Sequence, residues 1–198
     1  LNDQHFSKVT HENSIIAGSG YGYHSITNVP ENMRVAFVRG PKTCEKLGIS
    51  KHYGIGDPAY VAGEVLELNK SKRTKPDLIT FIPHFESDYL YRWDWVCNLT
   101  KIKRIPPSQP FETVYKQIYE SSLVITESLH GAIIADSLRV PWVPVKTRSQ
   151  INDFKWEDFA SSLDIRCQFK QVIPPAPGKK ALCAPWSILQ ARKSLLLA

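Results

Sequence analysis

At 198 residues the chain can form one large domain, or one complete domain with part of another, and its 42% hydrophobic, 22% charged composition excludes a disordered polypeptide. No apolar run approaches the roughly 20 residues of a membrane span, and no basic stretch followed by an apolar core marks a signal peptide. A net charge of +6 favours anionic partners. Yet the basic clusters Lys70-Ser71-Lys72-Arg73 and Lys101-Ile102-Lys103-Arg104 lack interleaved stacking aromatics, so no nucleic-acid partner is expected.

Short apolar runs at 14–17, 35–38, 78–82, 123–126 and 142–145 read as buried parallel strands. Between the second and third, Pro41 stands where a first helical residue belongs and Gly48 closes the helix 41–47. The polar stretch 68–76, with three lysines and an arginine, reads as a linker. Ser108 is the expected cap of a helix whose apolar positions Phe111, Val114, Tyr115 and Ile118 follow helical spacing. Residues 129–138 are apolar on nearly every side, as a helix buried between two layers would be, and 155–163 form a further amphipathic helix.

Strand–helix alternation of this kind predicts an α/β fold of doubly wound, Rossmann-like units. The expected division is a remainder of an N-terminal domain at 1–67, the linker 68–76, a C-terminal domain at 77–170 and a surface tail at 171–198 that opens on Pro174-Pro175. Because Leu1 comes first and Met33 is the sole methionine, an N-terminal portion is expected to precede this sequence. The four cysteines, Cys44, Cys97, Cys167 and Cys183, have neither disulfide-framework nor metal spacing, which suggests reduced thiols in the cytoplasm and no bound metal.

Five places can carry chemistry. Gly18-Ser19-Gly20-Tyr21-Gly22 follows a strand, and glycines there let a ligand approach the backbone; taken alone, a plain turn is the favoured reading. Arg39-Gly40-Pro41 joins a strand end to a helix start, where free amides and a bidentate guanidinium suit an anion. Thr126-Glu127-Ser128-Leu129-His130-Gly131 repeats that junction and sets His130 in the first helical turn, able to donate to an anion or shuttle a proton. Lys155 near the start of its helix, and His84 after the strand 78–82, complete the set.

These motifs resemble the polysaccharide pyruvyl transferases, in particular the exopolysaccharide-synthesis branch. The matching segments are 18–23, 35–48 (VAFVRGPKTCEKLG), 56–59, 81–84, 124–145 (VITESLHGAIIADSLRVPWVPV) and 154–163 (FKWEDFASSL), in the family's order and spacing. The resemblance implies a GT-B-like pair of Rossmann-like domains with parallel sheets, the N-terminal one incomplete here, and a site in the cleft between them. It implies transfer of pyruvate from phosphoenolpyruvate to two hydroxyls of one sugar, on a lipid-linked or other glycan precursor, leaving a cyclic ketal and phosphate. No cofactor is implied. The reaction would run in the cytoplasm, with peripheral association at membrane-bound glycan assembly.

By the same resemblance Arg39 and His130 line the phosphoenolpyruvate site with Lys155 nearby, the three catalytic candidates, His130 serving as general acid or phosphate holder. Gly18, Gly20, His84, Glu127, Ser128, Leu129 and Gly131 are the expected substrate-binding positions. Ser128 departs from the arginine that many relatives carry there, and the family's N-terminal glycine-aspartate segment does not occur in this chain. Two rivals stand beside this reading. One is a nucleotide-sugar glycosyltransferase of the same fold, with Glu127 on the ribose; the other is a non-catalytic module that holds an anionic glycan.

Overall fold

A computed structural model describes residues 14–22, 29, 31, 33–65, 77–147 and 151–175. In chain order its elements are β1 (Ser14–Ser19), β2 (Met33–Val38), α1 (Pro41–Leu47), two 3-10 turns (Lys51–Tyr53 and Pro58–Val61), α2 (Ala62–Val65), β3 (Ile79–Ile82), α3 (Phe85–Leu90) and α4 (Trp93–Thr100). There follow β4 (Lys103–Arg104), α5 (Phe111–Tyr119), β5 (Leu123–Thr126), α6 (Leu129–Ser137), β6 (Trp142–Lys146), α7 (Asp153–Ser162) and β7 (Lys170–Gln171). The chain divides into two units, Leu1–Leu66 with Asn152–Cys167, and Glu67–Ile151 with Gln168–Ala198. Both are α/β with parallel strands.

In the first unit β1 and β2 pair in parallel, and a register irregularity leaves Gly18 as an extra residue between Ala17 and Ser19. Gly18 has φ +71, a left-handed conformation open to glycine, and a Cβ there would lie 2.2 Å from the Pro58 ring. Pro41 opens α1, and Gly48 closes it at φ 63 with its N–H returned to the last turn, as the sequence predicts. Ile16, Met33, Val38, Cys44 and Leu47 form the core. Helix α7 packs on α1 in this unit, whereas the sequence groups it with 77–170. An amphipathic pattern shows that a helix has a buried face but not which neighbour covers it.

The second unit holds a five-stranded parallel sheet in the order β4-β3-β5-β6-β7. Phe81, Trp93, Val96, Cys97, Ile102, Ile125, Val145 and Val172 make one core cluster. Helix α6 lies against β5 and β6 and buries Gly131, Ala132, Ile133, Ile134 and Ala135. Burial of these strands and of residues 131–135 explains the apolar runs in the sequence.

Three local expectations need correction. Ser108 does not cap α5; that helix begins at Phe111 after Pro110, with no side-chain cap, because the residue before a proline is disfavoured in helical conformation. Lys155 is the third residue of its helix rather than the first. The chain past 170 is not all tail, since β7 pairs with β6 through Gln171 and Val172 is fully buried. The expected linker 68–76 and the tail from 176 onward lie outside the described residues.

Candidate functional site

In the first unit the site grows from the end of β2. Arg39 is only 5% exposed, and its Nε donates to Asp158 Oδ2 of α7 at 3.1 Å. Asp158 is fully buried and also accepts from the Thr43 N–H at 2.8 Å and the Thr43 hydroxyl at 2.6 Å. Thr43 Oγ1 in turn accepts from the Tyr21 N–H at 2.9 Å. The sequence leaves the first amides of α1 for an incoming anion; in the fold, Asp158 takes the Thr43 amide itself.

Two glycines make this network possible. A Cβ on Gly40 would stand 2.2 Å from the Asp158 carbonyl oxygen, and one on Gly20 would stand 2.1 Å from Arg39 Cζ. With Nε engaged by Asp158, Arg39 Nη2 is buried and has no hydrogen-bond partner among the described residues. Lys155 precedes Asp158 by three residues on α7, which sets the two on one side of that helix. Its pKa lies below the ordinary lysine value, first because burial disfavours the ammonium and second because Arg39 repels it. Arg39, held by Asp158, and Lys155 therefore bring two positive charges close together. A small polyanion would relieve both the unpaired Nη2 and the repulsion.

In the second unit the chain leaves β3 for β4 on one side and returns to β5 on the other. That strand order makes the carboxyl ends of β3 and β5 a topological switch point, where ligands bind in open α/β sheets. Ile82 and Thr126 are register partners at this edge. Thr126 Oγ1 accepts from the Ser128 N–H at 2.9 Å, and Ser128 caps α6 by accepting from the Gly131 N–H at 3.3 Å. The tight turn presents His130, the second residue of α6, as an exposed side chain. Gly131 is required beneath it, since a Cβ there would lie 2.8 Å from Thr126 Oγ1.

Glu127 is 1% exposed. One oxygen accepts from the His84 N–H at 3.1 Å, and the other from both the N–H (3.0 Å) and the hydroxyl of Thr147. It ties the ends of β3, β5 and β6 together. Beside His130 lies a cavity of about 220 Å³, floored by Ile82 and Ile134 and walled by Pro107, Phe111 and Val114. Among the described residues no cluster of three or more histidine, cysteine, aspartate or glutamate side chains could hold a metal ion, and no helix is long and apolar enough to cross a membrane.

Residues 26–149 match the family model described as polysaccharide pyruvyl transferase. The chain belongs to the polysaccharide pyruvyl transferase family. It is also similar to the succinoglycan biosynthesis protein ExoV of Rhizobium meliloti (strain 1021), 34% identical over 174 residues, which cover 87% of this chain and 54% of that protein. This similarity falls in the exopolysaccharide branch of the family, and the chain spans about half the length of that relative. No solved structure matches the chain.

Against this family background the expected site residues sort by what they touch. Arg39 and Lys155 share the first unit's cationic cluster; His130, Ser128, Leu129 and Gly131 share the turn at the switch point of the second. His84 caps α3 through Nδ1, which accepts from the Glu86 N–H at 3.4 Å. Three expected substrate-binding positions have contacts within the protein. Gly18 admits the Pro58 ring, Gly20 admits the Arg39 guanidinium, and the oxygens of Glu127 are taken by His84 and Thr147. Asp158, Thr43 and Thr147 are the residues the sequence did not disclose. Asp158 had one signal, an acidic side chain next to Phe159 and Ala160 on the buried face of α7.

Proposed function

We propose that the protein transfers the pyruvate of phosphoenolpyruvate to two hydroxyls of one sugar in an exopolysaccharide precursor, forming a cyclic ketal. The observation that carries this reading, given the family, is the buried Arg39 guanidinium with Nη2 unpaired among the described residues and Lys155 repelled beside it. Such a pair is poised for a ligand bearing both phosphate and carboxylate. Preorganised cations of this kind hold the donor without reorganisation cost during the reaction.

The chemistry balances as follows. A proton adds to the methylene carbon of phosphoenolpyruvate, making the methyl group and leaving positive charge at the central carbon, and one sugar hydroxyl adds there. Phosphate then departs with its bonding pair, and the second hydroxyl closes the ketal at the same carbon. Of the two hydroxyl protons, one replaces the proton given to the methylene and the other leaves with phosphate. His130 is assigned as the general acid for the methylene, or as a donor to the departing phosphate. Arg39 and Lys155 hold the anionic groups. No cofactor enters, and the donor sets the reaction in the cytoplasm, with a lipid-linked acceptor met at the inner membrane face.

A nucleotide-sugar reading would need an acidic group for the ribose. Glu127, its candidate, has both oxygens committed inside the protein. The test of the proposal is phosphate release from phosphoenolpyruvate with glycan acceptors, for the wild type and His130→Ala. Loss of about 10²–10⁴-fold in turnover with an unchanged melting temperature is expected, since a general acid contributes that much and an exposed substitution costs little stability. The reverse pattern, a lowered melting temperature with turnover per folded molecule preserved, would remove His130 from the reaction.

A further inference from the structure

The cavity beside His130 is too poor in charge to hold the donor. Among the described residues its lining contains no lysine, arginine, aspartate or glutamate, and His130 at its edge is the one titratable group there. A phosphate and a carboxylate drawn into it would be desolvated without cations to pair them, which is strongly unfavourable. A neutral ligand with one apolar face fits better.

The wall supplies that apolar face. Phe111 at the start of α5 is 38% exposed, and its ring rests on Tyr115 with centroids 5.8 Å apart, so it is fixed while still presenting surface. Pro107 and Val114 extend it, over a floor of Ile82 and Ile134 that is 1% and 4% exposed. The polar groups are few and directional. Gln109 Oε1 accepts from Gln117 Nε2 at 2.6 Å, which leaves the Gln109 amide nitrogen as a donor for a ligand. Ser128 accepts from the Gly131 N–H, which leaves its hydroxyl hydrogen to donate. Apolar walls with a small number of placed polar groups are the general composition of small-molecule sites, and 220 Å³ falls below the about 300 Å³ at which drug-sized pockets begin.

We infer that this cavity is the acceptor subsite: it takes one neutral sugar ring, its CH-bearing face against Phe111 and Pro107, with a hydroxyl turned toward His130. The inference rests on the pyruvyl-transfer reading and adds to it where the acceptor binds and that the recognised unit is uncharged. The volume admits a single ring, so any further sugars of an oligosaccharide would lie outside the cavity.

Two measurements test it. In steady-state assays of phosphate release, Phe111→Ala is expected to raise the KM for the glycan acceptor about tenfold, the usual loss when an aromatic anchor is truncated, with the phosphoenolpyruvate KM within about twofold. Saturation-transfer NMR with methyl glucoside and methyl galactoside needs no turnover. There the wild type is expected to saturate the protons of one sugar face, and Val114→Trp, which fills the cavity, is expected to abolish that signal. A raised phosphoenolpyruvate KM with an unchanged acceptor KM in Phe111→Ala would overturn the inference by making the cavity a donor site. So would sugar saturation that is absent in the wild type or survives in Val114→Trp. Failure of the underlying reading looks different: no phosphate is released from phosphoenolpyruvate by the wild type, whatever the NMR shows.

Discussion

Replacing Asp158 by alanine removes the one carboxylate around which the first unit's site is organised. Three buried donors lose their acceptor at once: Arg39 Nε–H, Thr43 N–H and the Thr43 hydroxyl. Each unsatisfied buried donor costs about 1–3 kcal/mol, and breaking a buried ion pair from one side costs about 3–5 kcal/mol. Because the three share one group, the terms overlap, and a total of about 3–5 kcal/mol is expected. At roughly 2–4 °C per kcal/mol for a protein of this size, the melting temperature should fall by about 6–20 °C. That is a large part of a typical stability of about 5–15 kcal/mol, so Asp158→Asn, which keeps the shape and one carbonyl acceptor, serves as the milder variant at about 1–3 kcal/mol. Thermal unfolding followed by circular dichroism measures both. A double variant, Arg39→Met with Asp158→Leu, should be more stable than Asp158→Ala, since no charge is left buried alone. An Asp158→Ala melting temperature within the range of about 0.5 kcal/mol typical of surface changes, or a double variant less stable than the single one, would refute the reasoning.

Gly20→Ala should weaken phosphoenolpyruvate binding without touching any ligand, because the new methyl would occupy the position 2.1 Å from Arg39 Cζ and drive the guanidinium off Asp158. A raised phosphoenolpyruvate KM and a stability loss of about 1–3 kcal/mol are expected; an unchanged KM would show that Arg39 does not act from this position. Lys155 gives a pH dependence whose sign is fixed by its lowered pKa. Between that lowered value and the ordinary lysine value the unfolded chain binds the extra proton, so this group's contribution makes the protein more stable as pH rises through the window. Lys155→Met should remove that contribution, seen as a smaller gain in melting temperature from neutral to alkaline pH than in the wild type; an equal gain in both would show that the lysine is not desolvated.

The sequence by itself determined the elements and the two junctions. Residues 123–126 and the stretch 131–135 of α6 were legible because they are largely buried and read as short apolar runs; α1 was legible because Pro41 and Gly48 mark its ends by backbone geometry alone. Arg39 and His130 stood out because a strand end followed by a helix start is a local pattern. The two-residue strand β7 was not legible, since Lys170 and Gln171 pair only through backbone and both side chains are exposed. Tertiary structure alone decided the rest. It brought Asp158 to Arg39 across 119 residues and turned the carboxylate of Glu127 inward onto Thr147. It also set Gly18 against the Pro58 ring and Gly20 against the Arg39 guanidinium. The physical reason is the same in each case. A periodic pattern shows that a face is buried or a turn is tight, but the partner of a buried charge is named only when the chain has closed around it.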